Sequence, residues 1–267
     1  YSSLGAGSYS LIVSDGACSA TLSAILTNPT GPTLNVNTQS VTCFGASTGA
    51  ATVTAVGAGP FTFTWTPLVG FTTIGNVSTA SSLFTGTYNI SVTNTVTGCI
   101  TTQSIAIVQP ATSITVNSAV TNAKRFAACN GSITVAVSGG TPTYTLNWLP
   151  GPITGQGTQT VTNLCLGTYT LNVNDANLCP RQLTFNITQP TALTLTTTPS
   201  NVLCNAACNG SINVTANGGT GVSTFTWLPV GTFTGSTNQN IFNLCPGSYT
   251  VNATDANSCP ATTVVTI

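Results

Sequence analysis

Apolar and polar residues alternate along most of the chain, and this alternation predicts short β-strands. Segments whose alternate apolar residues share one face include Ile133–Val137, Tyr144–Trp148 and Tyr169–Val173, with mostly Thr, Ser or Asn between them. A two-residue apolar period is typical of a half-buried strand. Gly, Pro, Asn and Asp separate these segments and favour turns. No apolar period of 3.6 residues runs for long, so we predict an all-β chain.

The pattern returns about every 80 residues. GTYTLNVNDANLCP (167–180) is repeated as GSYTVNATDANSCP (247–260), and looser copies occupy 7–18 and 86–99. Such self-similarity indicates an array of repeated units. These landmarks divide the chain into the C-terminal part of an incomplete repeat and three nearly complete repeats: 1–31, 32–110, 111–190 and 191–267.

Each unit has the size of a small all-β domain. Six or seven short strands in such a unit predict an immunoglobulin-like β-sandwich, so the fold class is a disulfide-linked tandem array of these sandwiches. Each complete repeat has one Trp, and a Gly-x-Tyr motif begins its penultimate strand. We expect these aromatic residues to anchor the cores: Trp65, Trp148, Trp227, Tyr88, Tyr169 and Tyr249.

The composition excludes several functions. There are three Asp, one Lys and two Arg, with no Glu or His, and 2% of residues are charged. Acid–base catalysis and metal sites need such groups in clusters, so we predict no enzyme, no metal and no cofactor. Nucleic-acid binding needs a basic face, which a net charge of zero cannot supply. No apolar run reaches the roughly 18 residues that span a bilayer, so no membrane insertion is expected.

Ten cysteines without a His indicate disulfides and an oxidising, extracellular compartment. The repeats keep different subsets of four cysteine positions, and we expect positions that are kept together to form a pair. This predicts four disulfides: Cys43–Cys99, Cys129–Cys165, Cys204–Cys259 and Cys208–Cys245. Cys18 and Cys179 are then unpaired within the segment, and Arg125 occupies the position of Cys204. The pairing Cys129–Cys179, which leaves Cys165 free, remains open.

The three aspartates, Asp15, Asp175 and Asp255, occupy one repeat position, in the turn before the last strand. An Asp side chain can accept a backbone N–H two residues on and form such a turn. The looser copy has Asn94 there, which favours a turn role; calcium binding is the alternative. The only basic pair, Lys124–Arg125, is predicted to lie in a solvated loop, with docking on the next repeat as the alternative.

Several motifs resemble the SprB repeat: C-x-G-x-S-x-G (43–49), N-G-S-[IV]-x-V followed by S-G-G-T, then D-A-N-x-C and a closing T-Q-P. The resemblance covers the whole chain. It implies a cell-surface array of β-domains of the kind found in giant adhesins of gliding Bacteroidota, exported by the type nine secretion system.

A function as an adhesive or filamentous surface rod follows from the array, because each stiff domain contacts mainly its neighbours. Without net charge nothing repels a second copy, so self-association and further repeats are the expected partners, with surface polysaccharide as another. Residues 1–31 hold about two strands, too few to bury a core alone. Either chain upstream of residue 1 or another subunit completes that unit, and we favour the upstream chain. The alternative function is glycan or ice binding by Thr-rich faces such as 193–198.

Overall fold

The computed structural model describes residues 3–204, 207–229 and 235–267, which form strands, turns and loops without a helix. The first strands are β1 (Gly7–Ser14) and β2 (Ser19–Leu26). The first complete repeat then has seven strands: β3 (Thr33–Gln39), β4 (Gly49–Val56), β5 (Phe61–Thr66), β6 (Phe71–Ile74), β7 (Val77–Leu83), β8 (Gly86–Asn94) and β9 (Ile100–Ile107).

The second and third complete repeats have six strands each, in the same order as one another. The second comprises β10 (Thr115–Thr121), β11 (Gly131–Ser138), β12 (Thr145–Leu149), β13 (Thr160–Leu164), β14 (Gly167–Asn174) and β15 (Pro180–Ile187). The third comprises β16 (Thr194–Ser200), β17 (Gly210–Asn217), β18 (Thr224–Leu228), β19 (Ile241–Leu244), β20 (Ser248–Thr254) and β21 (Pro260–Thr266).

Each complete repeat has two antiparallel sheets. In the second repeat their strand orders are β10-β11-β13 and β12-β14-β15, and in the third they are β16-β17-β19 and β18-β20-β21. The first repeat has β5-β8-β9 and the longer sheet β3-β4-β7-β6. This division of strands is that of a constant-type immunoglobulin sandwich. The predicted fold class is therefore confirmed.

The chain falls into two compact units, Tyr1–Ser113 and Ile114–Ile267, and the second holds two complete repeats. Inside each repeat, the predicted alternation places one face of every central strand in the core. Ile133 and Val135 of β11 are buried, as are Leu171 and Val173 of β14. Burial of such side chains is the main favourable term in folding.

The tryptophans lie at the centre of the three cores and are at most 2% exposed. A buried indole N–H needs an acceptor. Trp65 donates to Ser78 Oγ at 3.1 Å, whereas Trp148 and Trp227 donate at 3.0 and 2.9 Å to backbone carbonyl oxygens. Trp148 and Trp227 therefore fix the segment before the third strand of the opposite sheet, and Trp65 bonds to that strand itself, while all three fill the core.

Tyrosines make a second recurrent contact at the start of the penultimate strand. The hydroxyl of Tyr169 donates to the carbonyl oxygen of Cys165, four residues earlier, at 3.1 Å. The same contact is made four times, by Tyr9, Tyr88, Tyr169 and Tyr249, at 2.8 to 3.1 Å. This is the tyrosine corner of immunoglobulin-like domains.

A glycine at the start of the second strand explains the N-G-S motif. A Cβ atom at Gly131 would lie 2.9 Å from Cγ2 of Ile187 and 3.0 Å from the carbonyl oxygen of Leu164. At Gly210 a Cβ atom would lie 2.8 Å from Cγ2 of Ile267. A side chain does not fit between the converging backbones at either position, so only glycine permits this approach.

The hairpin of β1 and β2 differs from the equivalent hairpins of the complete repeats. Its strands pair in regular register from Gly7 with Leu26 to Ser14 with Ser19. Its apolar side chains, however, are largely exposed: Leu11, Ile12, Val13, Leu22, Ile25 and Leu26. Within the unit Tyr1–Ser113 the hairpin therefore has the sequence of two core strands, but its apolar side chains are not buried in a core.

Candidate functional site

The D-A-N-x-C turn of the second repeat is held by three backbone hydrogen bonds to the carboxylate of Asp175. Oδ1 of Asp175 accepts the backbone N–H groups of Asn177 and Cys179, both at 2.9 Å. Its Oδ2 accepts the N–H of Thr141 at 2.8 Å. The carboxylate therefore forms its own turn and also joins that turn to the loop between β11 and β12.

The third repeat has the same arrangement. Asp255 accepts the N–H groups of Asn257, Cys259 and Thr220 at 2.8 to 2.9 Å. Asn94 of the first repeat accepts from the N–H groups of Val96 and Thr97 at 3.0 and 3.1 Å, and its amide donates to a loop carbonyl oxygen. An amide thus also joins its own turn to the preceding loop without charge, but it donates the bond to that loop instead of accepting it.

The S-G-G-T motif fits against this carboxylate. Gly140 has a φ of +61°, and a Cβ atom there would lie 2.7 Å from Oδ2 of Asp175. Gly219 has a φ of +66°, with Oδ2 of Asp255 at 3.1 Å from the same point. Both the backbone conformation and the close approach require glycine. The two motifs are therefore one structural element, although about 35 residues separate them.

These hydrogen bonds set the ionisation of the aspartates. Asp175 is 2% exposed. Burial raises its pKa, but the N–H groups of Thr141, Cys179 and Asn177 outweigh burial and hold the pKa below the ordinary value of 3.8. The N–H of Cys259 is the largest cause of the lowered pKa of Asp255. In the exposed Asp15 the N–H groups of Cys18 and Ala17 lower the pKa.

Two disulfides close the sheet that contains the first strand. Cys129 is bonded to Cys165, and Cys208 to Cys245. Both are pairs that the sequence predicted, and the alternative bond between Cys129 and Cys179 is not formed. Each disulfide joins the loop before the second strand to the residue just after the fourth, next to the tyrosine corner. Loop closure of this length stabilises a domain by about 3–4 kcal/mol in the chain-entropy model.

The predicted pairs Cys43–Cys99 and Cys204–Cys259 are wrong, because their members lie at opposite ends of a repeat. Cys204 lies in the loop that leads to Gly210, which approaches Ile267 beyond the end of β21. Cys259 directly precedes the seven-residue strand β21. At about 3.3 Å per residue that strand spans roughly 20 Å, whereas a disulfide needs Cα atoms within about 7 Å.

The first repeat has the same geometry. The N–H of Gly45, two residues after Cys43, donates to Oε1 of Gln109 at 2.9 Å, beyond the end of β9. Cys99 precedes that strand and its thiol contacts the carbonyl oxygen of Pro29. The thiols of Cys18, Cys99, Cys204 and Cys259 are free. Cys43 and Cys179 are each disulfide-bonded, so the prediction that Cys179 is unpaired is also wrong. It followed from the same assumption about pairs within one repeat.

The T-Q-P motif holds the linker that leaves the second repeat. The N–H of Thr188 donates to Oδ1 of Asn122 at 3.0 Å, and the N–H of Ala127 donates to Oε1 of Gln189 at 3.0 Å. The linker between β15 and β16 is therefore bound to the loop between β10 and β11. We call this loop, residues 122–130, the pole loop.

The pole loop also contacts the third repeat, which belongs to the same compact unit. Nδ2 of Asn257 donates to the carbonyl oxygen of Lys124 at 2.7 Å. Arg125 and Cys259 line one open cavity of about 280 Å³. The side chains of Lys124 and Arg125 are exposed, as a solvated loop requires. The alternative expectation was docking of this loop on the next repeat. The backbone carbonyl oxygen of Lys124 makes such a contact, although the side chain of Lys124 is exposed.

Thr-rich strand faces are the basis of the alternative function, glycan or ice binding. Thr194, Thr196 and Thr198 of β16 are exposed and lie on one face. The tryptophans are buried, so they form no aromatic platform for a sugar. Among the described residues no group of three His, Cys, Asp or Glu side chains could hold a metal ion, and no helix is long and apolar enough to cross a membrane.

Facing antiparallel sheets, a buried Trp and a tyrosine corner define each complete repeat as an immunoglobulin-like β-sandwich. The family model described as the SprB repeat matches the chain three times, over residues 35–70, 113–152 and 196–232. Each complete repeat therefore contains one match to the SprB repeat, and the resemblance seen in its motifs is confirmed. No curated protein matches the chain.

Solved structures with similar architecture include the N-terminal eight Ig domains of Down Syndrome Cell Adhesion Molecule, at 15% identity and a TM-score of 0.42. That match covers 98% of this chain and 39% of the other. The three N-terminal domains of the bacteriophage RB49 Highly Immunogenic Outer Capsid protein match at 14% identity, over 88% of this chain and 96% of that one, with a TM-score of 0.35. A C-terminal fragment of intimin, in complex with the intimin-binding domain of its translocated receptor, matches at 18% identity over 61% of this chain and 66% of that one, also at 0.35.

Proposed function

We propose that this chain is part of an extracellular adhesive array, in which immunoglobulin-like repeats are joined stiffly end to end as a cell-surface stalk or a filament. SprB repeats and their sandwich fold are of the adhesion type. The disulfides fit an oxidising, extracellular location. Domain families of this kind are typically not enzymes.

The observation that carries the proposal is the bound linker between the second and third repeats. Asn122 and Gln189 hold the linker to the pole loop, and Asn257 joins that loop to the next repeat. The first two contacts fix the linker where it leaves the second repeat, and the third crosses the junction, so together they restrict bending between the two domains. Stiff junctions let an array gain length with every added repeat.

The partners that we propose are further repeats and second copies of this chain. A chain with a net charge of zero has little electrostatic repulsion between copies. The exposed apolar residues of the β1–β2 hairpin, among them Leu11 and Leu22, provide a surface that association would cover.

Small-angle X-ray scattering on the full chain tests the stiff junction. We expect a narrow distribution of interatomic distances for the natural protein and a broader one for a double variant, Gln189→Ala with Asn257→Ala. Gln156→Ala is the matched control, because that amide contacts only Asn147 within its own repeat. Equal distributions for all three proteins would refute the proposal of a stiff junction.

A second candidate is supported by the row of exposed threonines on β16. Hydroxyl groups of Thr194, Thr196 and Thr198 could bind a glycan or ice on one flat face. Retention of the full chain on polysaccharide or ice, lost when Thr196 is changed to Lys, would favour this function. Filaments in micrographs of native material, without such retention, would favour the array.

A further inference from the structure

We propose that the contact between consecutive repeats is a site of disulfide formation. One cysteine comes from the pole-loop position that Arg125 occupies, and the other closes the D-A-N-x-C turn of the next repeat. Cys204 has this loop position in the third repeat, and its partner is the turn cysteine of a further SprB repeat packed against it. The biological role of such a disulfide rests on the array proposed above. The chemistry itself can be tested at one junction.

The junction between the second and third repeats supplies the geometry. Asn257 and Lys124 are joined by a hydrogen bond of 2.7 Å between Nδ2 and the carbonyl oxygen. Arg125 follows Lys124 directly, and Cys259 lies two residues after Asn257. Arg125 and Cys259 line the same cavity. The pole-loop position and the turn cysteine therefore meet across the junction.

Cys204 and Cys259 lie at opposite ends of the third repeat, which explains why both of their thiols are free. Cys259 faces Arg125, which cannot form a disulfide, and the thiol of Cys259 is free. Cys204 is at the far end of the same repeat from Cys259, so the two cannot bond to each other. A second SprB repeat docked as the third docks on the second would bring its turn cysteine to Cys204.

The reaction is an ordinary thiol oxidation. Two thiols lose two protons and two electrons as the S–S bond forms, and an external disulfide accepts them and is reduced to two thiols. In a test tube that oxidant is oxidised glutathione. In an oxidising compartment a thiol–disulfide oxidoreductase of the same chemistry supplies it.

The first experiment introduces the missing cysteine with Arg125→Cys in the full chain, oxidised with glutathione. Wild type has four free thiols. The variant has five if the new thiol stays free and three if it bonds to Cys259, as we expect. Peptide mapping without reduction identifies the bonded pair, and adding Cys259→Ser to Arg125→Cys should prevent the bond.

Two controls make the result decisive. Arg125→Ser removes the guanidinium without adding a thiol and shows whether the loop tolerates the change. Lys124→Cys moves the thiol by one residue and should bond at least ten times more slowly. Five thiols in a folded Arg125→Cys protein, or equal bonding by Lys124→Cys, would overturn the proposal.

The natural position of Cys204 is tested in a longer chain. A second copy of residues 188–267 is added directly after Ile267, which reproduces the spacing of the junction between the second and third repeats. We expect a disulfide between Cys204 and the added copy of Cys259, and its absence would overturn the assignment of Cys204. Neither disulfide result depends on the stiffness of the junction. A failure of this proposal in the thiol analysis can therefore be distinguished from a failure of the proposed array in the scattering experiment.

Discussion

Leu171 and Leu11 have the same position in their repeats and opposite environments. Leu171 in β14 is 0% exposed, whereas Leu11 in β1 is 60% exposed. Changing each to alanine removes the same atoms from the same place in the sequence pattern. Only the first change should leave a cavity.

The expected magnitudes differ widely. Truncating a fully buried leucine costs about 2–5 kcal/mol, because the transfer free energy is lost and the cavity collapses only partly. For a domain of this size that lowers the melting temperature by roughly 10 °C or more. A surface change such as Leu11→Ala stays within about 0.5 kcal/mol.

The assay is hydrogen exchange measured by mass spectrometry on peptides from each repeat, because a chain of several domains does not unfold in one transition. Leu171→Ala should lower the free energy of opening of peptides from 160–187 and leave those from 210–217 unchanged. Leu166, 58% exposed in the same repeat, provides the matched control, and Leu166→Ala should change little.

Two results would refute this reasoning. If Leu11→Ala destabilised the protein as strongly as Leu171→Ala, the β1–β2 hairpin would be covered in solution rather than exposed. If Leu171→Ala cost less than about 1 kcal/mol, the core of the second repeat would not be packed as the buried strands require.

Three further predictions concern the motifs. Gly131→Ala should destabilise the second repeat by about 1–3 kcal/mol through overpacking, whereas Gly70→Ala, where a Cβ atom meets nothing within 4 Å, should not; denaturant titration compares them. Because the pKa of Asp175 is lower in the folded state, its carboxylate stabilises the repeat above pH 3.8 and this stability is lost as the pH falls through the folded value, so Asp175→Asn should reduce the acid dependence of melting. Calcium should leave the melting temperature of the same protein unchanged, and a rise would favour the metal-binding alternative.

Alternation and turn residues were sufficient to predict the fold, since the core contacts follow from which residues share a strand face. Ile133 and Val135 are buried where the two-residue period places them. The role of Asp175 could be predicted only in part. Its own turn is local in sequence, but the bond to Thr141 joins segments that are distant along the chain.

The disulfides show the limit of reasoning from repeats. Co-occurrence indicates which cysteines depend on one another, and for Cys208 and Cys245 it coincided with proximity. For Cys204 and Cys259 it did not, because a strand's length separates them and each faces a different end of the domain. A comparison of repeats does not show which end of a domain each cysteine lies at, and the prediction lacked this information. The role of Gln189 required the same knowledge of which loop lies at which end.

The hydrogen bonds of the aspartates have a consequence for colloidal behaviour. Asp175 and Asp255 are buried in their turns, so among the described residues the outer surface has almost no fixed anionic groups. Added electrolyte acts on a protein by screening such groups over about 10 Å at 0.1 M. Without them, the tendency of these molecules to associate should be nearly the same at about 0.01 M and at about 0.15 M salt.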